Sequence, residues 1–304
     1  MDYILKANAL CKNYKNFKAL NGLSMNIPKG AIYGFVGKNG AGKTTLIRLV
    51  CGLQQPTSGE YILYGRKNTD KEIVKSRRRM GAVVETPSVY PDMTAEENLR
   101  QQYRILGLPS YDGIADILKL VRLEDTGKKK VKNFSLGMRQ RMGIAIALAG
   151  DPDFLALDEP VNGLDPQGII EVRELILKLN RERQITVLIS SHILDELSKL
   201  ATHYGFIDSG RMVKEMSAED LEAACRKCIH MEVSDTRVLA RILDGWNVDY
   251  KILSESTADI YAKVNISRLV PALSEEGCEV ISMQEREESL ESYYVSLVGG
   301  GKDA

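Results

Sequence analysis

Gly37-Lys38-Asn39-Gly40-Ala41-Gly42-Lys43-Thr44 decides how the rest of the chain is read. It follows the apolar run Ala31-Ile32-Tyr33-Gly34-Phe35-Val36, which reads as a strand, and a helix is expected from Lys43 to about Cys51. A strand, a glycine-rich turn and a helix in this order make a phosphate loop. The glycines let backbone N–H groups wrap an anion, and the helix N-terminus adds its partial positive charge. The pattern places Lys43 at the β- and γ-phosphates, the Thr44 hydroxyl on Mg²⁺ and Thr45 near the α-phosphate.

Leu155-Ala156-Leu157-Asp158-Glu159 is a wholly apolar run that ends in two carboxylates. Short apolar runs of this kind, here and at Ile185-Thr186-Val187-Leu188-Ile189, are the mark of parallel strands covered on both faces. An open parallel sheet binds its ligand at the carboxyl ends of its strands, so the pair falls where the phosphate loop is. Asp158 is expected to hold Mg²⁺ through water. Glu159 is placed to orient or deprotonate an attacking water.

Composition bounds the rest. Lysine plus arginine and aspartate plus glutamate each number 41 in 304 residues, so the formal charge is 0. That balance disfavours a nucleic-acid or anionic-membrane binder, which needs a long-range positive field. Hydrophobic residues at 44% and charged residues at 27% fit a folded globular chain. The longest uncharged apolar stretch, Gly143 to Gly150, is far short of the ~20 residues that span a bilayer. Five cysteines and no apolar core in MDYILKANALCKNYK argue against export and a disulfide framework.

Between about Ser88 and Gly150 the chain reads as helical, with a capping-box pattern at Thr94-Ala95-Glu96-Glu97. Phe134-Ser135-Leu136-Gly137-Met138-Arg139-Gln140-Arg141 opens a long helix capped by Ser135. A serine and a glycine at a helix N-terminus form a second anion site. This segment resembles the signature of ABC-transporter ATPases, usually Leu-Ser-Gly-Gly-Gln, with Leu136 for the first glycine and Met138 for the glutamine. Ser135 and Gly137, which carry the phosphate contact in that family, remain. The resemblance runs over roughly residues 3 to 215. Tyr14 resembles the aromatic that stacks on adenine, and Asn162-Gly163-Leu164-Asp165-Pro166 the loop that joins the two sites of a dimer. Ser191-His192 resembles the switch histidine on the γ-phosphate. Glu85, in Val84-Glu85-Thr86-Pro87, stands where the family has a glutamine that touches Mg²⁺ and the attacking water. A carboxylate there accepts or ligates but does not donate. The alternative for Glu85 is a surface side chain on a tolerant loop.

The resemblance implies an α/β P-loop NTPase of ABC type over residues 1–217, with a parallel core sheet, N-terminal antiparallel strands and a helical insertion. It implies ATP and Mg²⁺ as cofactors, and catalysis by Glu159, His192 and Glu85. It also implies a second ATP-binding subunit, as a homodimer with two competent sites or as a heterodimer. A separate integral-membrane permease and a place on the cytoplasmic face of the membrane follow, with no nucleic-acid partner. With Glu85 and Phe-Ser-Leu-Gly-Met the chain resembles the ATPases of bacitracin- and lantibiotic-type export and immunity systems, which implies ATP-driven export of antimicrobial peptides or amphiphilic drugs. The alternatives are a soluble ABC ATPase acting on ribosomes or nucleic acid, and the ATPase of a peptide-sensing complex.

Residues 218–304 read as an accessory domain. The expected order is strand Ile229 to Val233, helix Thr236 to Leu243, strands Val248 to Leu253 and Ile260 to Val264, helix Ile266 to Glu276, and strand Glu279 to Met283. This is the βαββαβ order of a ferredoxin-like unit, followed by a closing helix from Ser289 to Val298 and a fraying Gly299-Gly300-Gly301 tail. Its role is open between a regulatory or dimerising module and a stabilising appendage. Cys225-Arg226-Lys227-Cys228 is half of a zinc motif and reads as two cysteines on one helical turn. Arg77-Arg78-Arg79 and Lys128-Lys129-Lys130 read as solvated basic faces, or as contacts for a membrane partner or lipid headgroups.

Overall fold

The computed structural model describes residues 2–225, 228–261, 264–286 and 290–299. The chain divides into two units, Met1–Ala218 and Glu219–Ala304. In the first, Leu23, Met25 and Ile27 are buried while Ser24 and Asn26 are exposed, the alternation of a strand with one wet face. This strand, Phe17–Pro28 (β2), pairs antiparallel with Tyr3–Tyr14 (β1). All five residues of Ile32–Val36 (β3) are buried, and Lys43–Val50 (α1) follows. Ser58–Leu63 (β4) and Arg66–Lys67 (β5) join the first two strands in a four-stranded sheet ordered β2-β1-β4-β5.

Ile73–Arg77 (α2) leads into Met80–Val83 (β6), and the helical insertion is Ala95–Leu106 (α3), Ile114–Leu120 (α4) and Leu136–Leu148 (α5). Phe154–Asp158 (β7), Pro166–Arg183 (α6), Thr186–Ser191 (β8), Leu194–Ser198 (α7), His203–Asp208 (β9) and Arg211–Ser217 (β10) complete the unit. A second sheet has the order β10-β9-β3-β8-β7-β6. It is parallel except for β10 at its edge. α1 contributes Leu46, Ile47, Leu49 and Val50 to a core shared with Leu23, Met25 and Ile27 of one sheet and Phe35, Phe154 and Leu188 of the other. Because β3, β8 and β7 are neighbours, the residues that follow them meet at one edge.

The second unit contains most of Ala218–Ala224 (α8), then Cys228–Val233 (β11), Thr236–Gly245 (α9), Tyr250–Ile252 (β12), Thr257–Ile260 (β13), Ile266–Glu275 (α10), Val280–Arg286 (β14) and Leu290–Gly299 (α11). The sheet order β12-β13-β11-β14, all antiparallel, is that of a ferredoxin-like unit. Met231, Val233, Leu239, Leu243, Ala258, Ile260, Leu269 and Leu273 form its core.

Four expectations change. α8 does not show in apolar periodicity, because Leu221 is its one large apolar residue, yet alanine, glutamate and an acidic first turn favour helix. Cys225 lies beyond α8 and Cys228 opens β11, so the two cysteines do not share a helical turn; Arg226 and Lys227 lie outside the described residues. The strand expected at Ile260 to Val264 runs instead over Thr257–Ile260, where Ala258 and Ile260 alternate into the core and Leu253 N–H closes the hairpin on Thr257 O. Residues 262–263 and Ser289, and the tail from 300, are outside the description.

The fourth change is within the basic runs, where Arg78, Arg79, Lys128 and Lys129 are exposed as expected but Arg77 is half-buried, and Arg77, Arg79 and Lys130 have partners. Arg77 donates to Tyr61 Oη and to Val50 O, and Arg79 pairs with Asp153 over the Tyr64 ring. Lys130 pairs with Glu97 at 3.2 Å. No helix among the described residues is long and apolar enough to cross a membrane.

Candidate active site

The turn between β3 and α1 is shaped by Gly42, whose φ is 112°. A Cβ there would fall 2.5 Å from the Ala19 carbonyl oxygen, so both conformation and space demand glycine. Gly210 N–H, from the β9–β10 turn, donates to Ala41 O at 3.0 Å and supports the loop from behind. Gly37, Asn39, Gly40 and Ala41 lie on this turn, and Thr44 and Thr45 sit half-buried in the first turn of α1. Lys43 is 5% exposed. Its Nζ donates to Gly37 O at 2.5 Å and lies 3.1 Å from Glu159 Oε1.

Asp158 is the last residue of β7, 1% exposed, and accepts a 2.5 Å hydrogen bond from Ser190 Oγ on the neighbouring strand β8. The register pairs Asp158 with Ser190 directly. Glu159 has a left-handed backbone, φ 50°, and its N–H is held by Ser190 Oγ at 3.0 Å. His192 Nδ1 lies 2.9 Å from Glu159 Oε2. An ionised carboxylate only accepts, so Nδ1 is the donor in this contact. Ile193 N–H donates to Ser191 Oγ at 2.9 Å, which fixes the turn carrying the histidine.

The structure thus joins Lys43, Glu159 and His192 in one line of contacts, with Asp158 on the adjacent residue. Ser190 is the member that pattern reading misses. Its signal is a hydroxyl at a strand end, and only the β7–β8 register gives it meaning. The ion contact of Lys43 with Glu159 Oε1 lies outside hydrogen-bond angles, so that buried oxygen has no hydrogen-bond donor. The hydroxyl of Thr44 and the carboxylate of Asp158 are hard oxygen donors, which fits Mg²⁺. Among the described residues no group of three or more His, Cys, Asp or Glu side chains could hold a metal.

The other expected residues are placed on the same unit. Tyr14 ends β1, is 37% exposed, bonds Gln54 through its hydroxyl and lies beneath Lys12 Nζ at 5.2 Å from the ring centre. Phe17, 58% exposed across the turn, is a second aromatic at this hairpin. Ser135 caps α5 by accepting from Met138 N–H at 3.2 Å, and Asp165 caps α6 by accepting from Gly168 N–H at 3.0 Å. A Cβ on Gly137 would stand 3.8 Å from Gly168 Cα, so the two helix N-termini lie side by side. Glu85 pairs with Arg48 of α1, Nη2 to Oε1 2.7 Å. Burial pushes the Cys51 thiol, at the end of α1, up to about 12, so it stays neutral and inert.

A profile of the family described as "ABC transporter" matches residues 20–162. The bacitracin transport ATP-binding protein of Bacillus licheniformis is 40% identical over 306 residues, which cover 99% of each chain. The chain belongs to the ABC transporter family. The ABC relationship extends through the second unit, since the aligned stretch takes in nearly the whole chain. A lantibiotic transport ATP-binding protein of Streptococcus pyogenes is 42% identical over 72% of this chain and 93% of its own. Among solved ABC cassettes, a dimeric one in a post-hydrolysis state with ADP and phosphate superposes with a TM-score of 0.64. It has 27% identity and is covered to 98%, against 70% of this chain.

Proposed function

We propose that this chain is the ATP-hydrolysing subunit of an ABC exporter that removes antimicrobial peptides or related amphiphilic compounds. The observation that carries the reading is the line from Lys43 Nζ through Glu159 to His192 Nδ1, laid along the carboxyl ends of β3, β7 and β8. A triphosphate wrapped by Gly37–Thr44 supplies the anion that draws Lys43 from Gly37 O and Glu159. Mg²⁺, held by Thr44 and Asp158, would neutralise phosphate charge when bound. Glu159 then orients the attacking water and accepts its proton, and His192, positioned by Glu159 through Nδ1–H, donates to the γ-phosphate through Nε2–H, as only the doubly protonated ring can. Tyr14 stacks on adenine.

Ser135 and Gly137 lie on a helix N-terminus that has its own anion-binding character, and they serve a nucleotide held on a second subunit. That subunit is a copy of this chain, since each copy brings one phosphate loop and one Ser135–Gly137 segment and two copies complete two sites. The relatives named for bacitracin and lantibiotic transport support the peptide class of cargo. A separate integral-membrane permease receives the work, and the chain acts on the cytoplasmic face of that membrane.

The test is capture of the Glu159→Gln form from detergent-solubilised native membranes with ATP and Mg²⁺. The substitution retains ATP binding and lowers turnover by about 10²-fold or more, the loss of a general base. A polytopic membrane protein should co-purify. Undiminished turnover would remove Glu159 from its role, and co-purification of ribosomes or nucleic acid would overturn the transport reading.

A further inference from the structure

Glu85 leaves β6 in a left-handed conformation, φ 60°, and its Oε1 accepts a 2.7 Å hydrogen bond from Arg48 Nη2. Arg48 lies on α1, the helix whose first turn carries Lys43 and Thr44. The loop beyond Glu85 is fixed at two further points. Pro87 lies against α5, where a Cβ on Gly143 would come within 2.7 Å of its ring. Asn98, 1% exposed on α3, accepts from Tyr90 N–H at 2.7 Å and donates to Tyr90 O at 3.1 Å. The loop is thus held downstream of Glu85, whose own side chain is exposed.

A glutamine at this position would present a neutral carbonyl oxygen, whereas Glu85 presents a full negative charge. One carboxylate is bonded to the guanidinium on α1, and the Mg²⁺ of a nucleotide at the start of the same helix would be a second cation competing for it. We propose that Arg48 is the positioning residue of Glu85, dividing its carboxylate between the phosphate-loop helix and the Mg–ATP site. The side chains are 33% and 59% exposed. An ion pair that wet is weak enough to exchange when a divalent cation competes, and its coupling is worth roughly two- to five-fold. The inference rests on the reading of Gly37–Thr44 as an ATP site.

The experiment measures binding and not turnover. A fluorescent trinitrophenyl-ATP is titrated into the full chain, with Mg²⁺ and in EDTA, for the wild type, Arg48→Gln, Glu85→Gln, the double substitution and Arg48→Lys. Arg48→Gln frees Glu85 and should enlarge the tightening produced by Mg²⁺ by roughly two- to five-fold. The same change in the Glu85→Gln background should not alter the Mg²⁺ effect, and Arg48→Lys, which keeps the charge, should stay near wild type. An effect of equal size in both backgrounds, or one already present in EDTA, would overturn the proposal, because Arg48 would then act on nucleotide without Glu85. No effect in any background would overturn it as well. Failure of the wild type itself to bind nucleotide would instead remove the ATP-site reading beneath it.

Discussion

Glu159 is held in a backbone region that a side chain with a Cβ occupies at a cost, and the hydroxyl of Ser190 helps to hold it there. The same hydroxyl donates to Asp158, so one buried serine orients both carboxylates. Ser190→Ala removes a donor from a carboxylate that is 1% exposed, and the unfolding free energy should fall by about 1.5–3 kcal/mol in urea titration. Its effect on turnover should appear in kcat with KM for ATP nearly kept, since the loss is of orientation and not of phosphate contacts. Wild-type stability together with wild-type kcat would show that Asp158 and Glu159 hold their places without it. Lys43, Asp158 and Glu159 are legible in sequence because a local turn or a strand end specifies them. Ser190 and Arg48 are not, because their partners are brought to them by strand register and by packing of a distant loop.

At the scale of elements, α5 ties α3 and α4 of the helical insertion to β6 and α6. Ser135 caps it, and Arg141 Nη1 donates to Val121 O at 2.9 Å and to Arg122 O at 2.8 Å while Nη2 pairs with Glu171 of α6 at 3.3 Å. Gly143 lets the Glu85 loop ride on its surface through Pro87. Gly143→Ala gains about 1 kcal/mol of helix propensity but must displace a ring that cannot flex, at about 1–3 kcal/mol. A lower urea midpoint is therefore expected, with faster proteolysis of the loop from Val84 to Met93. Gly150→Ala, whose Cβ would meet Leu106 Cδ1 at an ordinary 3.5 Å, should stay within about 0.5 kcal/mol of wild type. Equal midpoints for the two variants would mean that Pro87 yields freely. The cap of α5 and the capping box of α3 were readable from residue types three apart, and both hydrogen bonds of the box are made. The need for glycine at 143 was hidden, since it arises from a proline on another element.

On the scale of the whole molecule, each unit has a core of its own, one around α1 and the other around Met231, Leu239, Ala258 and Leu269. The βαββαβ order of the second was legible from alternating apolar residues, and the sheet order follows from it. The first strand of the central hairpin shrank to Tyr250–Ile252 and the second shifted to Thr257–Ile260, because alternation alone does not locate a turn. The chain has one tryptophan, Trp246, which ends α9 with the Arg268 guanidinium 5.2 Å from its ring. Tryptophan fluorescence therefore reports the second unit alone, while a bound nucleotide acts on the first. If the units unfold independently, Mg–ATP at 100 times its Kd should stabilise the first by about 2.7 kcal/mol and raise the urea midpoint seen in nucleotide binding. The Trp246 transition should not move, and a chain ending at Ala218 should bind nucleotide as the full chain does. A nucleotide-dependent shift of the Trp246 midpoint would show instead that the units unfold as one. The accessory domain would then be energetically linked to the ATP site, which favours a regulatory module over an appendage.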